Sequence, residues 1–307
     1  MGTLAEMLST PLGVIEWFVY LLAAVMFVIG LHLMNSPKTA RKGNMVSAIG
    51  MVFAVAMAFI VLFAGEASNG FKHGVAVIVL IVGIVIGAVA GVVSAKKVKM
   101  TDMPQLVSVF NTVGGGAAAL VALNDILTSA ETPSIVVLIT AGLGIMIGSV
   151  TFSGSLIAAG KLQGIKWVKK LSLPGKGFWN ILFVVLTIVS FVMLCVQPNQ
   201  RLLWSILTTV FALCYGLVFV IPIGGADMPV VISVLNACTG TAVAMSGLAI
   251  NNIALIVAGA LVGAAGVTLS IAMSKAMNRP LLSVLAGGFG GANAAAGAGE
   301  GPEGSMK

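Results

Sequence analysis

The sequence is poor in charge. Charged residues make up only 8% of its 307 residues, and nine residues are acidic. Soluble globular domains carry about 25% charged residues. This scarcity excludes a water-soluble domain, because such a surface needs more charges than the chain contains. A lipid bilayer is therefore the expected surroundings of most of the chain.

The sequence also lacks the motifs of metal and nucleotide sites. Its three cysteines, Cys195, Cys214 and Cys238, lie inside apolar runs and form no CxxC motif or Cys/His cluster. We interpret them as small apolar packing residues. There is no HExxH and no Walker motif, and no GxGxxG lies between a strand and a helix. The chain itself is predicted to hold no metal and no nucleotide.

Long apolar runs fill the chain instead. A transmembrane helix needs about 20 mostly apolar residues, and nine segments meet that requirement. We predict an all-α polytopic membrane protein in which residues 1–285 form one transmembrane domain. The nine predicted spans are 14–34, 45–64, 74–95, 104–124, 134–160, 178–196, 201–222, 228–248 and 252–275.

The basic residues indicate the orientation of these spans. Fourteen of the sixteen Lys and Arg follow odd-numbered spans, and only Lys72 and Arg201 lie in the loops of the other side. Cytoplasmic loops carry the excess of Lys and Arg. The N-terminus is therefore predicted outside and the C-terminus in the cytoplasm. This placement explains the net charge of +7 without any nucleic acid as a partner.

One segment of the sequence is repeated. "TDMPQLVSVFNTVGGGAAAL" begins at Thr101 and "ADMPVVISVLNACTGTAVAM" at Ala226, and nine of eighteen positions between Asp102 and Ala119 are identical at an offset of 125. "SVTFS" at Ser149 matches "GVTLS" at an offset of 117. We predict one leading helix and a parallel repeat, helices 2–5 and helices 6–9, about an axis along the membrane normal.

The repeated stretch places a polar face in the membrane. Asp102 and Asp227 precede the fourth and eighth helices, where they can simply cap free N–H groups, or cap them and also contact a cytoplasmic partner or a proton entry. Nine residues later, about 13.5 Å along the helix, an asparagine comes near mid-membrane. Such a face either joins helices through hydrogen bonds or lines a hydrated path. Its members are Ser108, Asn111 and Gly115, and Ser233, Asn236 and Gly240.

Other patterns are typical of packing and of loops. Gly83, Gly87 and Gly91 form a ridge of small residues, for which we expect close contact with another helix. No ionisable residue is expected deep in a span, and Asp125 is assigned to an external loop. Residues 286–307 are rich in Gly and Ala and are predicted to be a flexible linker towards a further domain.

Three segments carry a resemblance to a known family. "GGADMPVVISVLN" from Gly224, "LIVAGALVGAAG" from Leu255 and "SKAMNRPLLSVLAGGFG" from Ser274 resemble the membrane domain of the beta subunit of proton-translocating NAD(P) transhydrogenases. The resemblance covers nearly the whole chain and includes nine spans. It implies an enzyme subunit that couples proton translocation to hydride transfer between NAD(H) and NADP(H).

The resemblance also implies partners and a location. The alpha subunit, with its own transmembrane helices, carries the NAD(H) site, and NADP(H) sits in a domain after the glycine-rich segment. This chain would then bind neither nucleotide. A dimer of alpha–beta units in the bacterial cytoplasmic (inner) membrane, with the lipid bilayer around it, is the implied assembly.

The resemblance implies roles for Asn236, Asp227, Gly266, Lys275 and Arg279, and the repeat and the glycine-rich segment extend these roles to further positions. Asn236, with Asn111, Ser108 and Ser233, is assigned to the proton path, and Asp227, with Asp102, to the cytoplasmic gate. The remaining assignments are gating and coupling at Lys275 and Arg279, helix packing at Gly115, Gly240 and Gly266, and a linker hinge at Gly287, Gly288 and Gly290.

Position 111 departs from the family pattern. Many members have a histidine, regarded as the proton relay, where this chain has Asn111. An asparagine cannot take up a proton at neutral pH. Either a helix of the alpha subunit supplies the histidine, which we favour, or ordered water and the two asparagines carry the proton.

Two other classes of function remain open at this point. A secondary transporter also uses repeats with a site at the midplane, although it normally has a stronger binding group than two amides. A structural membrane-anchor subunit needs no polar face in the membrane. Substrate uptake by the chain alone favours the first, and full activity without both asparagines favours the second.

Overall fold

The chain is an array of α-helices. The computed structural model describes residues 10–64, 70–129, 133–166, 168 and 175–288. In these ranges nine helices are long and apolar enough to cross a membrane. In chain order the helices are α1 (Pro11–Met34), α2 (Ala40–Ala64), α3 (Gly70–Lys97), α4 (Met103–Thr128), α5 (Ile135–Leu162), α6 (Lys176–Val196), α7 (Arg201–Val220), α8 (Met228–Ala249), α9 (Ile253–Ala276) and the short α10 (Leu281–Gly288).

The predicted spans correspond to helices α1 to α9, so the all-helical class, with nine described helices long and apolar enough to span a membrane, is confirmed. The match is close where loops are short: 178–196 corresponds to Lys176–Val196, and 228–248 to Met228–Ala249. The first residues of the predicted linker, including Gly287 and Gly288, belong to the last turn of α10. Gly290 lies outside the described residues.

The helices divide into two compact units. The first contains residues 1–106 and 252–258, and the second contains residues 107–251 and 259–307. In the first unit α1 and α2 pack along glycines. A Cβ atom on Gly30 would lie 2.9 Å from the carbonyl oxygen of Gly43, and one on Gly50 would lie 3.0 Å from Cβ of Met26. Small residues let the two backbones approach closely, as in other membrane helix pairs.

Helix α3 does not show the contact predicted for its glycine ridge. A Cβ atom on Gly83, Gly87 or Gly91 would meet no atom within 4 Å. The most apolar window of α3 has no buried residue among those described. The expected close helix contact at this ridge is therefore not found within the described chain.

In the second unit α5 lies against several helices. Three of its glycines each face a different helix. A Cβ atom on Gly148 would lie 2.7 Å from the carbonyl oxygen of Gly115 on α4, and one on Gly144 would lie 2.7 Å from Ser246 on α8. A Cβ atom on Gly154 would lie 3.2 Å from Val220 on α7. Fifteen residues of α5 are buried. The small side chains of α5 thus allow three helices to surround it.

Two apolar clusters mark the two ends of this unit. One joins the beginning of α8 to the end of α7 and to α10, through residues such as Met228, Val220 and Val284. The other joins the end of α4 to α5 and α6, through residues such as Ile126, Leu138 and Leu194. The polar face predicted from the sequence lies along the helices between these clusters.

Candidate functional site

Helix α4 buries one polar face. Its buried residues recur at intervals of three and four, which keeps them on one side of an α-helix. They are Ser108, Asn111, Thr112, Gly115, Ala118, Ala119, Ala122, Asp125 and Ile126. The sequence therefore places its polar groups on the side of α4 that packs against other helices.

Asn111 is held by α5. Its Nδ2 atom donates a hydrogen bond to Oγ of Ser155 at 2.8 Å, and Oγ of Ser108 donates to the carbonyl oxygen of Ser155 at 2.8 Å. Ser155 itself is fully buried. The Oδ1 atom of Asn111 is buried and has no partner among the residues that the structure describes. Such an acceptor is normally satisfied by ordered water, because leaving it empty costs about 1–3 kcal/mol.

The corresponding residues of α8 make different contacts. Oγ of Ser233 donates to the carbonyl oxygen of Gly266 on α9 at 3.1 Å, and Ser270 donates to the same oxygen at 2.7 Å. Asn236 is half-buried. Three residues further, Thr239 is 7% exposed, and its Oγ1 atom is buried without a partner.

Helices α4 and α8 pack side by side in the same direction. A Cβ atom on Gly114 would lie 3.4 Å from Cγ2 of Thr239, and Oγ of Ser246 donates to the carbonyl oxygen of Ala118 at 3.0 Å. From the first contact to the second, the residue number rises in both helices, so the two helices run in the same direction. Asn111 and Asn236 each lie three residues before the first contact, which is one helical turn.

The two asparagines therefore come to a similar level on adjacent faces of α4 and α8. Together with their buried neighbours they form what we call the polar stripe: Ser108, Asn111, Ser155, Ser233, Asn236 and Thr239. It contains two buried oxygen atoms that have no partner in the described ranges, Oδ1 of Asn111 and Oγ1 of Thr239. Groups of this kind bind water, or a small polar species, rather than each other.

The glycines assigned to packing lie at backbone contacts. A Cβ atom on Gly240 would lie 2.7 Å from Cα of Gly263, and one on Gly266 would lie 2.7 Å from Cα of Ala237. On α4, a Cβ atom on Gly115 would lie 3.1 Å from the carbonyl oxygen of Gly148. A side chain at any of these positions would push two helices apart.

The two helix pairs are not packed in the same register. Ser108 contacts the carbonyl of Ser155, whereas its counterpart Ser233 contacts the carbonyl of Gly266. The repeat in the sequence aligns Gly266 with Ser149, which lies six residues before Ser155. The contact between α8 and α9 is therefore displaced relative to that between α4 and α5.

Each of the two repeated aspartates is the last residue of a short 3₁₀ turn. Asp102 closes a 3₁₀ turn directly before α4, and Asp227 closes one directly before α8, again 125 residues apart. The carboxylate of Asp227 makes no capping hydrogen bond to α8, so its predicted capping role is wrong. Asp102 is exposed, and Oγ1 of Thr101 lies 3.4 Å from its Oδ1 atom.

Asp227 instead pairs with Arg279. The Nη1 atom of Arg279 lies 2.8 Å from each of the two carboxylate oxygens. The side chain of Asp227 is 14% exposed and that of Arg279 is 39% exposed. The structure therefore brings these two gate residues together. Lys275, the third residue assigned near them, is exposed, and the described residues hold no salt bridge from it to Asp227.

Backbone geometry explains how Arg279 reaches Asp227. After α9 the amide of Arg279 donates to the carbonyl of Ser274 at 3.1 Å, and that of Asn278 to the carbonyl of Lys275 at 3.0 Å. Asn278 has a φ of 51°. These bonds form a Schellman motif with asparagine in the left-handed position, and the following proline stops the helix. The chain turns back so that Arg279 faces the beginning of α8.

Sequence reasoning missed Lys161. Its ammonium group, at the end of α5, donates to the carbonyl oxygens of Val220 at 3.2 Å and Ile223 at 2.9 Å, and also to that of Ile221. A cation at the C-terminal end of α7 satisfies carbonyls that the helix leaves free. Lys161 thereby fixes the segment that leads to Asp227. The sequence showed a lysine at the end of a span, but it did not indicate which carbonyl groups this lysine binds.

The position predicted for Asp125 is wrong. It belongs to α4, three residues before the helix ends at Thr128, and not to an external loop. It is 6% exposed, and its Oδ2 atom is buried without a partner in the part of the chain that the structure describes. The helix continues beyond the apolar run 104–124, so the change from apolar to polar residues does not mark its end. Spacing from Asn111 could have placed Asp125 on the buried face.

Comparison with known proteins identifies the family. The family model for "NAD(P) transhydrogenase beta subunit" matches residues 16–306. Two curated relatives, one from Rhodospirillum rubrum and one from a named strain of that species, carry the name "NAD(P) transhydrogenase subunit beta". Each is 39% identical to this chain over 287 residues. The aligned residues cover 91% of this chain and 59% of the relative. The chain thus spans about three-fifths of the length of these relatives. It belongs to the NAD(P) transhydrogenase beta subunit family.

Proposed function

We propose that this chain is the membrane proton-conducting part of a proton-translocating NAD(P) transhydrogenase. Membership of the beta subunit family supports this assignment. Its partners in the proposal are an alpha subunit that binds NAD(H), and an NADP(H)-binding domain reached through the segment after α10. Two alpha–beta units form the complete enzyme in a bacterial cytoplasmic membrane. In this assembly the chain contributes proton movement and leaves both nucleotide sites to its partners.

The proposed orientation has the N-terminus outside and the C-terminus in the cytoplasm. The distribution of fourteen basic residues against two supports it. The proposal also includes the parallel repeat of helices α2–α5 and α6–α9. Identical 3₁₀ turns before α4 and α8, at the offset of 125, support that repeat. In this orientation Asp227 and Arg279 lie at the cytoplasmic end and Asp125 at the external end.

The proton path follows the polar stripe. The observation that carries this proposal is the pair of buried oxygen atoms without protein partners, Oδ1 of Asn111 and Oγ1 of Thr239, on two parallel helices. Hydrogen bonds that only joined helices would leave neither atom empty. Water bound between them can pass a proton along its hydrogen bonds, because each water both donates and accepts.

Asn111 positions this water and does not carry the charge. Its Nδ2 atom is committed to Ser155, and its Oδ1 atom remains as an acceptor. An amide has no titratable proton at neutral pH. In the proposal a histidine on a helix of the alpha subunit serves as the relay beside the stripe. The half-buried amide of Asn236 lies one turn from Thr239 and lines the same water.

The cytoplasmic gate is the ion pair between Asp227 and Arg279. Asp227 lies six residues before Ser233, which is about 9 Å along the helix. A proton that reaches the Asp227 carboxylate removes its negative charge and weakens the two contacts at 2.8 Å. Arg279 is then released together with the turn that leads into α10. Asp102 and the exposed Lys275 keep their separate assignments to gating and coupling.

Proton occupancy and nucleotide state are then coupled in both directions. If release of Arg279 favours one orientation of the NADP(H) domain, that orientation favours the protonated form of Asp227 by the same free energy. The turn after α9 is the element with two states in this scheme. It connects the end of the proton path to the chain segment that leads out of the membrane domain.

Substitution of Asn236 tests the path. In the complete enzyme, reconstituted in vesicles, we expect Asn236→Leu to reduce proton uptake about 10²-fold, since an apolar side chain breaks the water chain that moves the proton. A pH-sensitive dye measures the uptake, and absorbance of a nicotinamide analogue measures hydride transfer. Asn124→Leu is the matched control, because Asn124 lies on the exposed side of α4.

The outcomes separate the classes of function. Normal assembly with lost proton uptake in the Asn236 variant, and normal uptake in the Asn124 variant, supports the path. An unchanged dye signal in the Asn236 variant refutes it. Full activity after replacement of both Asn111 and Asn236 would leave the chain as a membrane anchor.

A further inference from the structure

Asp125 is a buried carboxyl group that the proposed path does not yet use. The residue is 6% exposed, and its Oδ2 atom has no hydrogen-bond partner among the described residues. A carboxylate buried in this way is costly unless it is paired or exchanges a proton. Ionisable residues inside transmembrane helices face bundle interiors or water-filled cavities and mark ion or proton pathways. The position of Asp125 on its helix shows which pathway it can serve.

Asp125 lies on the same face of α4 as Asn111. The buried residues between them, Gly115, Ala118 and Ala122, continue the spacing of three and four without a break. Fourteen residues separate Asp125 from Asn111, which corresponds to about 21 Å along the helix axis. Only small residues occupy the face between the two polar groups. At Gly115 these small residues let α4 pack closely against α5, so the proposed route follows the side of α4 that meets α8.

Helix α8 supplies polar groups along the same route. Oγ of Ser246 is buried and donates to the carbonyl oxygens of Ala118 on α4 at 3.0 Å and of Ala242 at 2.9 Å. Seven residues earlier on α8 lies Thr239, with its unpartnered Oγ1 atom. Buried polar oxygens thus recur between the level of Asn111 and the end of α4 that carries Asp125.

Apolar residues surround this end of α4. The adjacent cluster contains Ala122 and Ile126 of α4, Leu138, Ala141 and Ile145 of α5, Leu194 of α6 and Ala249 of α8. The ionisable groups of the packed elements are few. Cys195 of α6 packs against the cluster, and Arg201 at the beginning of α7 donates from Nη2 to the carbonyl of Ser129 at 2.6 Å.

Arg201 is thereby fixed close to the Asp125 turn. Ser129 is the residue that closes this turn, since its amide and its Oγ both donate to the carbonyl oxygen of Asp125, at 3.3 and 2.7 Å. The guanidinium group places positive charge at the end of α4 without taking up Oδ2 of Asp125. No acidic side chain faces Asp125 from the described parts of α5 to α8.

We propose that Asp125 is the external proton-binding group of the path. This inference rests on the proposed function and on the orientation stated there. Oδ2 takes a proton from external water, so that one O–H bond forms as another breaks and no electrons change hands. The neutral carboxylic acid then gives this proton to water held beside Ser246 and Thr239. The chain thus contains a titratable group of its own at the external end, while the relay beside Asn111 comes from the partner.

The test compares three variants of the complete enzyme in vesicles. Asp125→Asn keeps the size and removes the titratable group, so we expect coupled proton transfer to fall about 10²-fold. Asp125→Glu keeps a carboxyl group and is expected to retain most transfer. The exchange Asn124→Asp with Asp125→Asn keeps one carboxyl group in the same turn but moves it to the exposed face, and is expected to behave like Asp125→Asn. Glu16→Gln, an acid-to-amide change in α1, serves as control.

Sidedness separates proton binding from a structural role. With the internal pH held constant, we expect the rate of proton transfer by the parent enzyme to change with the external pH. We expect the Asp125→Asn variant to lose this response to external pH but to keep its response to internal pH. A merely destabilised enzyme would lose both responses. Normal proton transfer in Asp125→Asn, or in the exchanged variant, overturns the inference.

The Asn236→Leu variant distinguishes the two levels of the proposal. If Asn236→Leu abolishes proton uptake and Asp125→Asn does not, the path stands and Asp125 is not its external group. If neither variant changes uptake, the proposed path itself fails. Should Asp125→Asn fail to assemble, Asp125→Glu decides: a changed dependence of its rate on external pH, with the response to internal pH retained, supports the inference, and an unchanged dependence on external pH contradicts it.

Discussion

Replacement of Gly240 by alanine tests how closely α8 and α9 must pack. The new Cβ atom would lie 2.7 Å from Cα of Gly263 and 2.8 Å from the carbonyl oxygen of Gly259. Carbon atoms pack without repulsion at about 3.5–4.0 Å, so the helices must separate by about 1 Å. Both obstacles are backbone atoms, and a rotamer change cannot remove them. The expected overpacking cost is about 1–3 kcal/mol.

Gly87→Ala is the matched control, because a Cβ atom at Gly87 meets nothing within 4 Å. The same substitution there is expected to leave stability unchanged or to raise it by about 0.5–1 kcal/mol through helix propensity. At Gly240 this gain offsets part of the cost and leaves a net loss of about 1–2 kcal/mol, or about 2–6 °C in Tm.

Thermal unfolding in detergent, followed by circular dichroism, measures the difference between the two variants. A separation of α9 also moves the carbonyl of Gly266 away from Ser233, now 3.1 Å distant, so coupled proton uptake is expected to fall in Gly240→Ala alone. Equal Tm values for Gly240→Ala and Gly87→Ala would refute the packing argument.

Two further predictions concern the cytoplasmic end. Asp227→Asn and Arg279→Gln should show a coupling free energy of about 1–2 kcal/mol in a double-mutant cycle on unfolding, between the values of exposed and buried pairs; additive effects would contradict the pair. Lys161→Met should expose the Ile223 amide to hydrogen exchange about tenfold more often, because the loss of a charge-assisted hydrogen bond costs about 1.4 kcal/mol. Lys166→Met, at an exposed position, should change nothing there.

The sequence was sufficient for the spans because the bilayer imposes one strong condition. A segment that crosses hydrocarbon must be apolar over about 20 residues and must satisfy its own backbone. Helix α8 therefore runs within one residue of its predicted bounds. The same condition says little about helix ends. Helix α4 continues for four residues beyond its apolar run, and that extension converts Asp125 from a loop residue into a buried one.

Contacts between helices could be predicted only in part, because they depend on the rotation and register of each pair. The repeat revealed Asn111 and Asn236 but not Ser155, since the position equivalent to Ser155 at the offset of 117 is Ala272. The pairing of Asp227 with Arg279 follows from the turn at Asn278, which no hydropathy pattern encodes. Small residues show a similar limit: Gly240 contacts backbone, whereas Gly87 contacts nothing described.

Satisfied and unsatisfied polar groups distinguish a path from interhelical joining. Most buried hydroxyls of the second unit donate to a carbonyl of their own helix, as Thr112 does to Ser108 at 2.9 Å, and such bonds need no water. Oδ1 of Asn111, Oγ1 of Thr239 and Oδ2 of Asp125 have no such partner. Polar groups placed only to hold helices together would be paired, because each unpaired one costs stability. Two of these oxygens, Oδ1 of Asn111 and Oγ1 of Thr239, lie on neighbouring faces of α4 and α8 and support the proposed water path.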